Sequence, residues 1–245
     1  MWLGMPFDVP YYVLANFPKM PYSHVMKSAK LFIVAIDGSQ GPEEVKRSAK
    51  GLYDKYSSRG EVNKQVEVVF LGRNGKVRSG GEFEKLCVGK VEIEKDDVLG
   101  MYLVAHCGDL TTAVYDHNLA KGIKTFLDLR AGGNSYKLDK VCLAVCAAAT
   151  KELEKESPLG GSEEKTLIQQ FATLLIKAGM TPRLAGWTAY LTVDPSGKKK
   201  IIGSKKPIEM FVTDSPFSKE KQKMVYVYDE SAGYVRKDLA SWTDK

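Results

Sequence analysis

Apolar residues in this chain fall either in short unbroken runs or in longer stretches with helical spacing, and the order of the two predicts most of the elements. Residues 31–36, LFIVAI, are unbroken and close on Asp37-Gly38, the pattern of a strand buried on both faces. GPEEVKRSAKGLYDKYSSRG then predicts a helix, with Pro42 near its start, Glu43 and Glu44 in its first turn and Gly60 past its end. In QVEVVFLGRNGKVRSG, Asn74-Gly75 between alternating residues predicts a tight hairpin. GKVEIEKDD predicts a short strand with Glu92 and Glu94 turned outward. A second buried strand lies in VLGMYLVAHCGD, residues 98–109, and delivers His106, Cys107 and Gly108 at its end.

A third buried strand, KVCLAV at 140–145, runs to Cys146 and on into CAAATKELEKE, whose composition favours helix. SEEKTLIQQFATLLIKAG, residues 162–179, is the clearest helical pattern. Ser162 is its expected cap, Glu163 and Glu164 complement its dipole, and Gly179 stops it. RLAGWTAYLTVDPSGKKKIIG predicts a hairpin turning through Asp194-Pro195-Ser196-Gly197. The tail carries one predicted strand, KMVYVYD.

Strands alternating with helices predict an α/β fold, a mainly parallel sheet flanked by helices on both faces. In such folds, polar residues at the carboxyl ends of strands form the natural site. Three of these ends carry chemistry: Asp37-Gly38, His106-Cys107-Gly108 and Cys146.

Composition narrows the classes. At 245 residues and 44% hydrophobic content the chain can bury a full core, so one domain with appendages is expected. A net charge of +6 suits a local anion site better than a nucleic-acid surface. Four cysteines without CxxC spacing and three histidines give no zinc-finger framework, so free thiols in a reducing, cytoplasmic setting and no metal are expected. The first 29 residues have no basic leader and are broken by Pro6, Pro10, Pro18 and Pro21, which argues against a signal peptide. They read as an extended arm burying Trp2, Phe7, Tyr11, Tyr12 and Phe17, or else as a partner-binding or cleavable segment. No stretch is apolar for the 18 residues a membrane span needs.

A thiol becomes a strong nucleophile beside an imidazole and ahead of a helix N-terminus, and Cys146 is predicted to have both. His106 would be the base, and amides near Gly108 and Cys146 would be oxyanion donors. Singly, each residue reads as packing, because buried cysteine is common and a strand-end histidine is usually just hydrogen-bonded. Together at neighbouring strand ends they favour a catalytic dyad. Cys142, inside its strand, is expected to pack, and His117 in YDHNLAKG to sit in a loop.

The pair YLVAHCG and VCLAVC resembles the caspase-like clan of cysteine peptidases, in which a hydrophobic strand ends in His-Gly and a later one in the nucleophilic cysteine. The separation here is 40 residues, against about fifty in caspases. Within that clan the chain is most similar to the autoprocessing cysteine protease domains of large bacterial toxins. There too the nucleophile is followed by a helix, a strand and a basic β-hairpin flap, as in TLIQQFATLLIKAGMTPRLAGWTAYLTVDPSGKKKI. Cys107 intervenes between His106 and Gly108 where the family has His-Gly directly.

The resemblance implies a caspase-like domain over residues 30–206 with a C-terminal β-hairpin flap; the arm at 1–29 and an extension at 207–245, expected to pack on the domain, have no counterpart in it. It implies Cys146 as nucleophile, His106 as base, and Asp37 as the acid that orients the histidine, although Asp37-Gly38 reads equally as a turn. It also implies an activating polyanion, inositol hexakisphosphate, bound by Lys198, Lys199, Lys200, Lys205 and Lys206, with Arg183 and Lys30 as candidate additions. The alternative for these lysines is a solvated hairpin tip. No cofactor is implied for the chemistry. Two functions follow: a cysteine endopeptidase that processes itself or acts as a toxin-type effector in a host cytosol, or a catalytically silent α/β binding module. The peptidase would take a protein substrate or its own chain, and neither reading involves nucleic acid.

Overall fold

The computed structural model describes residues 30–38, 42–58, 65–79, 85–115, 118–145, 166–187, 190–202 and 223–237. In chain order the elements are β1 (Lys30–Asp37), α1 (Pro42–Ser57), β2 (Gln65–Gly72), β3 (Asp97–Val104), α2 (Cys107–Tyr115), α3 (Asn118–Ala131), β4 (Tyr136–Ala144), α4 (Leu167–Lys177), β5 (Arg183–Trp187), β6 (Tyr190–Val193), β7 (Lys199–Ile202), β8 (Lys223–Asp229) and β9 (Gly233–Lys237). The protein is α/β. A seven-stranded sheet runs β2-β1-β3-β4-β5-β8-β9, parallel from β2 to β5 and antiparallel through β8 and β9, while β6 and β7 form a separate antiparallel hairpin.

The sheet is covered on both faces, as unbroken apolar strands require. On one face Phe32, Val34, Ile36, Val141 and Leu143 pack with residues of α2, α3 and α4, and Phe171 of α4 is fully buried. Burying a side chain of that size contributes about 1.5–3 kcal/mol. On the other face Ile33, Ala35, Val104, Ala144 and Trp187 share a cluster with Val45, Ala49 and Leu52 of α1 and Val193 of β6. The β6–β7 turn rests on α1, where Lys55 donates to the Gly197 carbonyl at 3.0 Å. Asp194 ties that turn by accepting from the Ser196 and Lys198 amides.

β3 and β4 change register partway. Leu99 faces Leu138 but Gly100 faces Lys140, leaving Asp139 as the extra residue of a bulge. Its carboxylate accepts from Arg183 at 2.5 Å.

Several expectations are corrected. The described helix at 167–177 is capped by Thr166 rather than Ser162. Thr166 and Gln169 form a capping box, in which the Gln169 amide donates to the threonine hydroxyl and the Thr166 amide to the Gln169 side chain. GKVEIEKDD is not a strand until Asp97. Its alternation is real, with Val91 and Ile93 buried and Glu92 and Glu94 exposed, but the Val91 amide donates to the Glu67 carboxylate and the Ile93 amide to the Arg130 carbonyl. The tight hairpin expected at Asn74-Gly75 is present, though short: Leu71 bridges Val77, and the Gly72 and Arg78 amides donate to the Lys76 and Phe70 carbonyls at 2.8 Å. Two helices, α2 and α3, and the strand β9 had no sequence expectation. The arm, CAAATKELEKE, Ser162 and His117 lie outside the described residues.

Candidate functional site

The carboxyl ends of β1, β3, β4 and β5 share one edge of the sheet. Val104 pairs with Ala144, so His106 follows its strand by two residues, as position 146 follows β4. Cys146 itself, with Lys205 and Lys206, lies outside the described residues. Cys107 opens α2 and Gly108 stands in its first turn, so the positive end of a helix dipole adjoins His106. Leu110 N donates to the His106 carbonyl at 3.0 Å, which fixes the junction between strand and helix.

The His106 side chain is 28% exposed. Glu44 Oε2, from the first turn of α1, stands 3.3 Å from its Nε2, near enough to pair with an imidazolium. The pair makes no hydrogen bond, so Nε2, although buried, has no hydrogen-bond partner among the described residues. Asp37 takes a different partner: Arg78 Nε lies 2.9 Å from its carboxylate. The Asp109 side chain, a buried carboxylate in the first turn of α2, lies against Gly38 and 3.8 Å from Arg73 Nε. A Cβ on Gly38 would come within 1.9 Å of Asp109 Cγ, so a larger residue there would have to displace the Asp109 carboxylate.

One strand further along, Trp187 closes β5. Cys142 pairs with Ala185, which sets Trp187 level with Ala144 and Val104. The residue is 7% exposed, and its Nε1 has no hydrogen-bond partner among the described residues. An unmet buried donor costs about 1–3 kcal/mol.

The flap lysines divide. Lys199 is half-buried, and its Nζ donates to Tyr102 Oη at 3.1 Å and lies 4.1 Å from the center of that ring. Tyr102 is on β3, four residues before His106. Its hydroxyl meets that of Tyr56 at 2.7 Å, and the rings stack at 5.4 Å. Lys198 is exposed at the turn, and Lys200 lies on β7. Arg183 is held by Asp139 at the start of β5. Lys30 lies at the opposite end of the sheet, fully buried and 2.7 Å from Asp97, so it does not join the flap.

Cys142 packs, as its place in the strand predicts, in a small cluster with Ala185 and Val225. Burial pushes its thiol pKa up, only partly offset by the charges of Lys199 and Lys223. Burial likewise pushes the Lys223 ammonium down. A thiol held protonated in this way is a poor nucleophile.

Sequence reasoning assigned Glu44 only to the helix dipole and passed over Trp187 and Asp109. The signal for Glu44 was topological: a helix that directly follows a parallel strand begins at the carboxyl edge, so its first turn faces the site. Among the described residues, no group of three or more His, Cys, Asp or Glu side chains is placed to hold a metal, and no helix is long and apolar enough to cross a membrane. No known family matches the chain, and no curated protein matches it.

Proposed function

We propose that the chain is a cysteine endopeptidase in which Cys146 is the nucleophile and His106 its base. The observation that carries this reading is the row formed by the parallel pair β3 and β4: with Val104 opposite Ala144, positions 106 and 146 each lie two residues beyond their strands. With Nε2 beside Glu44, Nδ1 is the nitrogen assigned to the thiol. The thiol proton passes to it, the thiolate sulfur bonds to the scissile carbonyl carbon, and the tetrahedral oxyanion collapses with loss of the amine. The amine leaves carrying the imidazolium proton, and water then hydrolyses the thioester. The adjoining α2 N-terminus favours negative charge at this edge. Glu44 takes the orienting role that the resemblance gave to Asp37, since Asp37 is engaged by Arg78.

The proposal extends to regulation by a polyanion such as inositol hexakisphosphate at the flap. Support comes from Lys199, which reaches from the hairpin to Tyr102 on the histidine strand, so a ligand drawing on that ammonium would alter a contact to β3. A catalytically silent binding module is the second reading, favoured by the covered Nε2 of His106. Site-resolved alkylation tests the first: native protein should be modified preferentially at Cys146, and His106→Ala should remove the preference. Equal reactivity of Cys146 in both proteins would leave the binding module as the better account.

A further inference from the structure

Trp187 has no part in the proton transfers above, yet its indole nitrogen is one of two buried side-chain polar atoms that lack a hydrogen-bond partner among the described residues, the other being His106 Nε2. Both belong to the carboxyl edge of the sheet. The register Val104–Ala144 and Cys142–Ala185 puts Trp187 in the same row two strands from β3, which at the usual strand spacing is roughly 9–10 Å sideways. Trp187 and Val104 belong to one buried cluster on the α1 face, the face from which Glu44 approaches His106. An indole N–H donates and cannot accept, so only an oxygen or another acceptor can satisfy it. Val193 of β6 lies in the same cluster.

We infer that the Trp187 indole N–H is a substrate-binding donor, which takes a carbonyl oxygen of the bound peptide about three residues from the scissile bond when the β6–β7 hairpin moves off the cluster. The inference rests on the peptidase reading. A peptide laid across the strand ends from His106 toward β5 passes this nitrogen about three residues along, since an extended chain advances roughly 3.3 Å per residue. Trp187 would thus fix the register of the substrate without touching the reacting atoms. Its effect belongs in binding and not in the chemical step.

The test replaces Trp187 with β-(3-benzothienyl)alanine, which keeps the ring system and substitutes sulfur for the N–H, with Trp187→Phe as a second variant. The probe is the most reactive of a set of acetylated tetrapeptidyl chloromethyl ketones, with capture at Cys146 resolved into a binding constant and a limiting rate. The expected result is binding weakened roughly three- to tenfold, the worth of one hydrogen bond, with an unchanged limiting rate and an unchanged or higher melting temperature. A purely structural indole would leave binding unaltered, and that result overturns the inference. If the native chain is not captured at Cys146 at all, the peptidase reading fails separately. The inference is then decided on Cys146→Ala protein by the Trp187 indole proton resonance: movement on adding the corresponding tetrapeptide amide sustains it, and no movement at millimolar peptide rejects it.

Discussion

At the amino ends of the strands, Lys30 is fully buried against Asp97 at 2.7 Å and donates to the Glu92 carbonyl at 2.6 Å, while Glu67 is gripped by the Arg130 guanidinium and accepts from the Val91 amide. At the carboxyl ends, buried nitrogens of His106 and Trp187 have no hydrogen-bond partner among the described residues. Among the described residues, the same sheet therefore ties down its buried charges at one end and leaves two buried nitrogens without a hydrogen-bond partner at the other. Satisfied buried charges hold a structure in register, whereas an unmet buried group calls for a cause, a catalytic or binding role being one. The amino edge is thus where substitution should cost stability, and the carboxyl edge where it should cost activity.

The largest effect expected from that contrast is at the dyad. Cys146→Ala or His106→Ala should lower peptide capture and proteolysis at least about a hundredfold with an unchanged melting temperature, because a general base alone contributes that much. Cys142 should stay unmodified by iodoacetamide at pH 8 in native protein and react only once unfolded, since its buried thiol is pushed up and stays protonated there. If Cys142→Ala abolished capture and Cys146→Ala did not, the carboxyl edge would have been read wrongly.

The opposite edge supplies the next effect. Asp97→Ala removes the buried carboxylate beside the Lys30 ammonium, leaving it the Glu92 carbonyl and the exposed Glu94 at 3.7 Å, and should cost about 3 kcal/mol, seen as a melting temperature lower by roughly ten degrees. Joint replacement, Lys30→Met with Asp97→Leu, should recover most of that loss. A polyanion comes third. At a hundred times its dissociation constant, inositol hexakisphosphate should stabilise the native chain by about 2.7 kcal/mol, and less in a variant with Lys198, Lys199 and Lys200 changed to Gln. Equal shifts in both proteins would move the anion site elsewhere. Glu44→Gln should have the smallest effect: a few-fold slower capture at Cys146, with Glu44→Asp recovering part of it, because the pair with His106 is partly exposed.

The strands and helices that were legible in the sequence are those whose burial follows one period throughout. β1 is apolar at every position from Leu31 to Ile36, and α4 repeats Leu167, Ile168, Phe171, Leu174 and Leu175. α3 was hidden by Gly122, which breaks the helical pattern for a tertiary reason: a Cβ there would come within 2.1 Å of the Gly75 carbonyl oxygen, so the Asn74-Gly75 turn can lie against the helix only over glycine. α2 was hidden because it starts directly after the strand, with no linker to mark the change. The strand expected at GKVEIEKDD failed because alternation reports burial and not ladder bonds; Glu67 and Arg130 supply its partners instead. For the candidate site, the row of strand ends could be read from apolar runs alone. Glu44 could be reached only through the topology, as the first turn of a helix that follows a parallel strand, and Trp187 could not, because its place depends on which residues the sheet register makes neighbors.

The bulge at Asp139 separates two ways of counting. Below it β4 runs 39 numbers ahead of β3, as in Leu99 opposite Leu138, and above it 40, as in Val104 opposite Ala144. The histidine-to-cysteine interval therefore equals the upper ladder offset, which the connecting helices and the bulge set between them and which the chemistry does not sense directly. A related chain could lengthen α3 or drop Asp139 and still bring the same two positions to one row. Kinship of this kind is better sought by aligning rows of the sheet than by matching intervals along the chain, and Arg183, freed of its carboxylate, would mark a lineage that had lost the bulge.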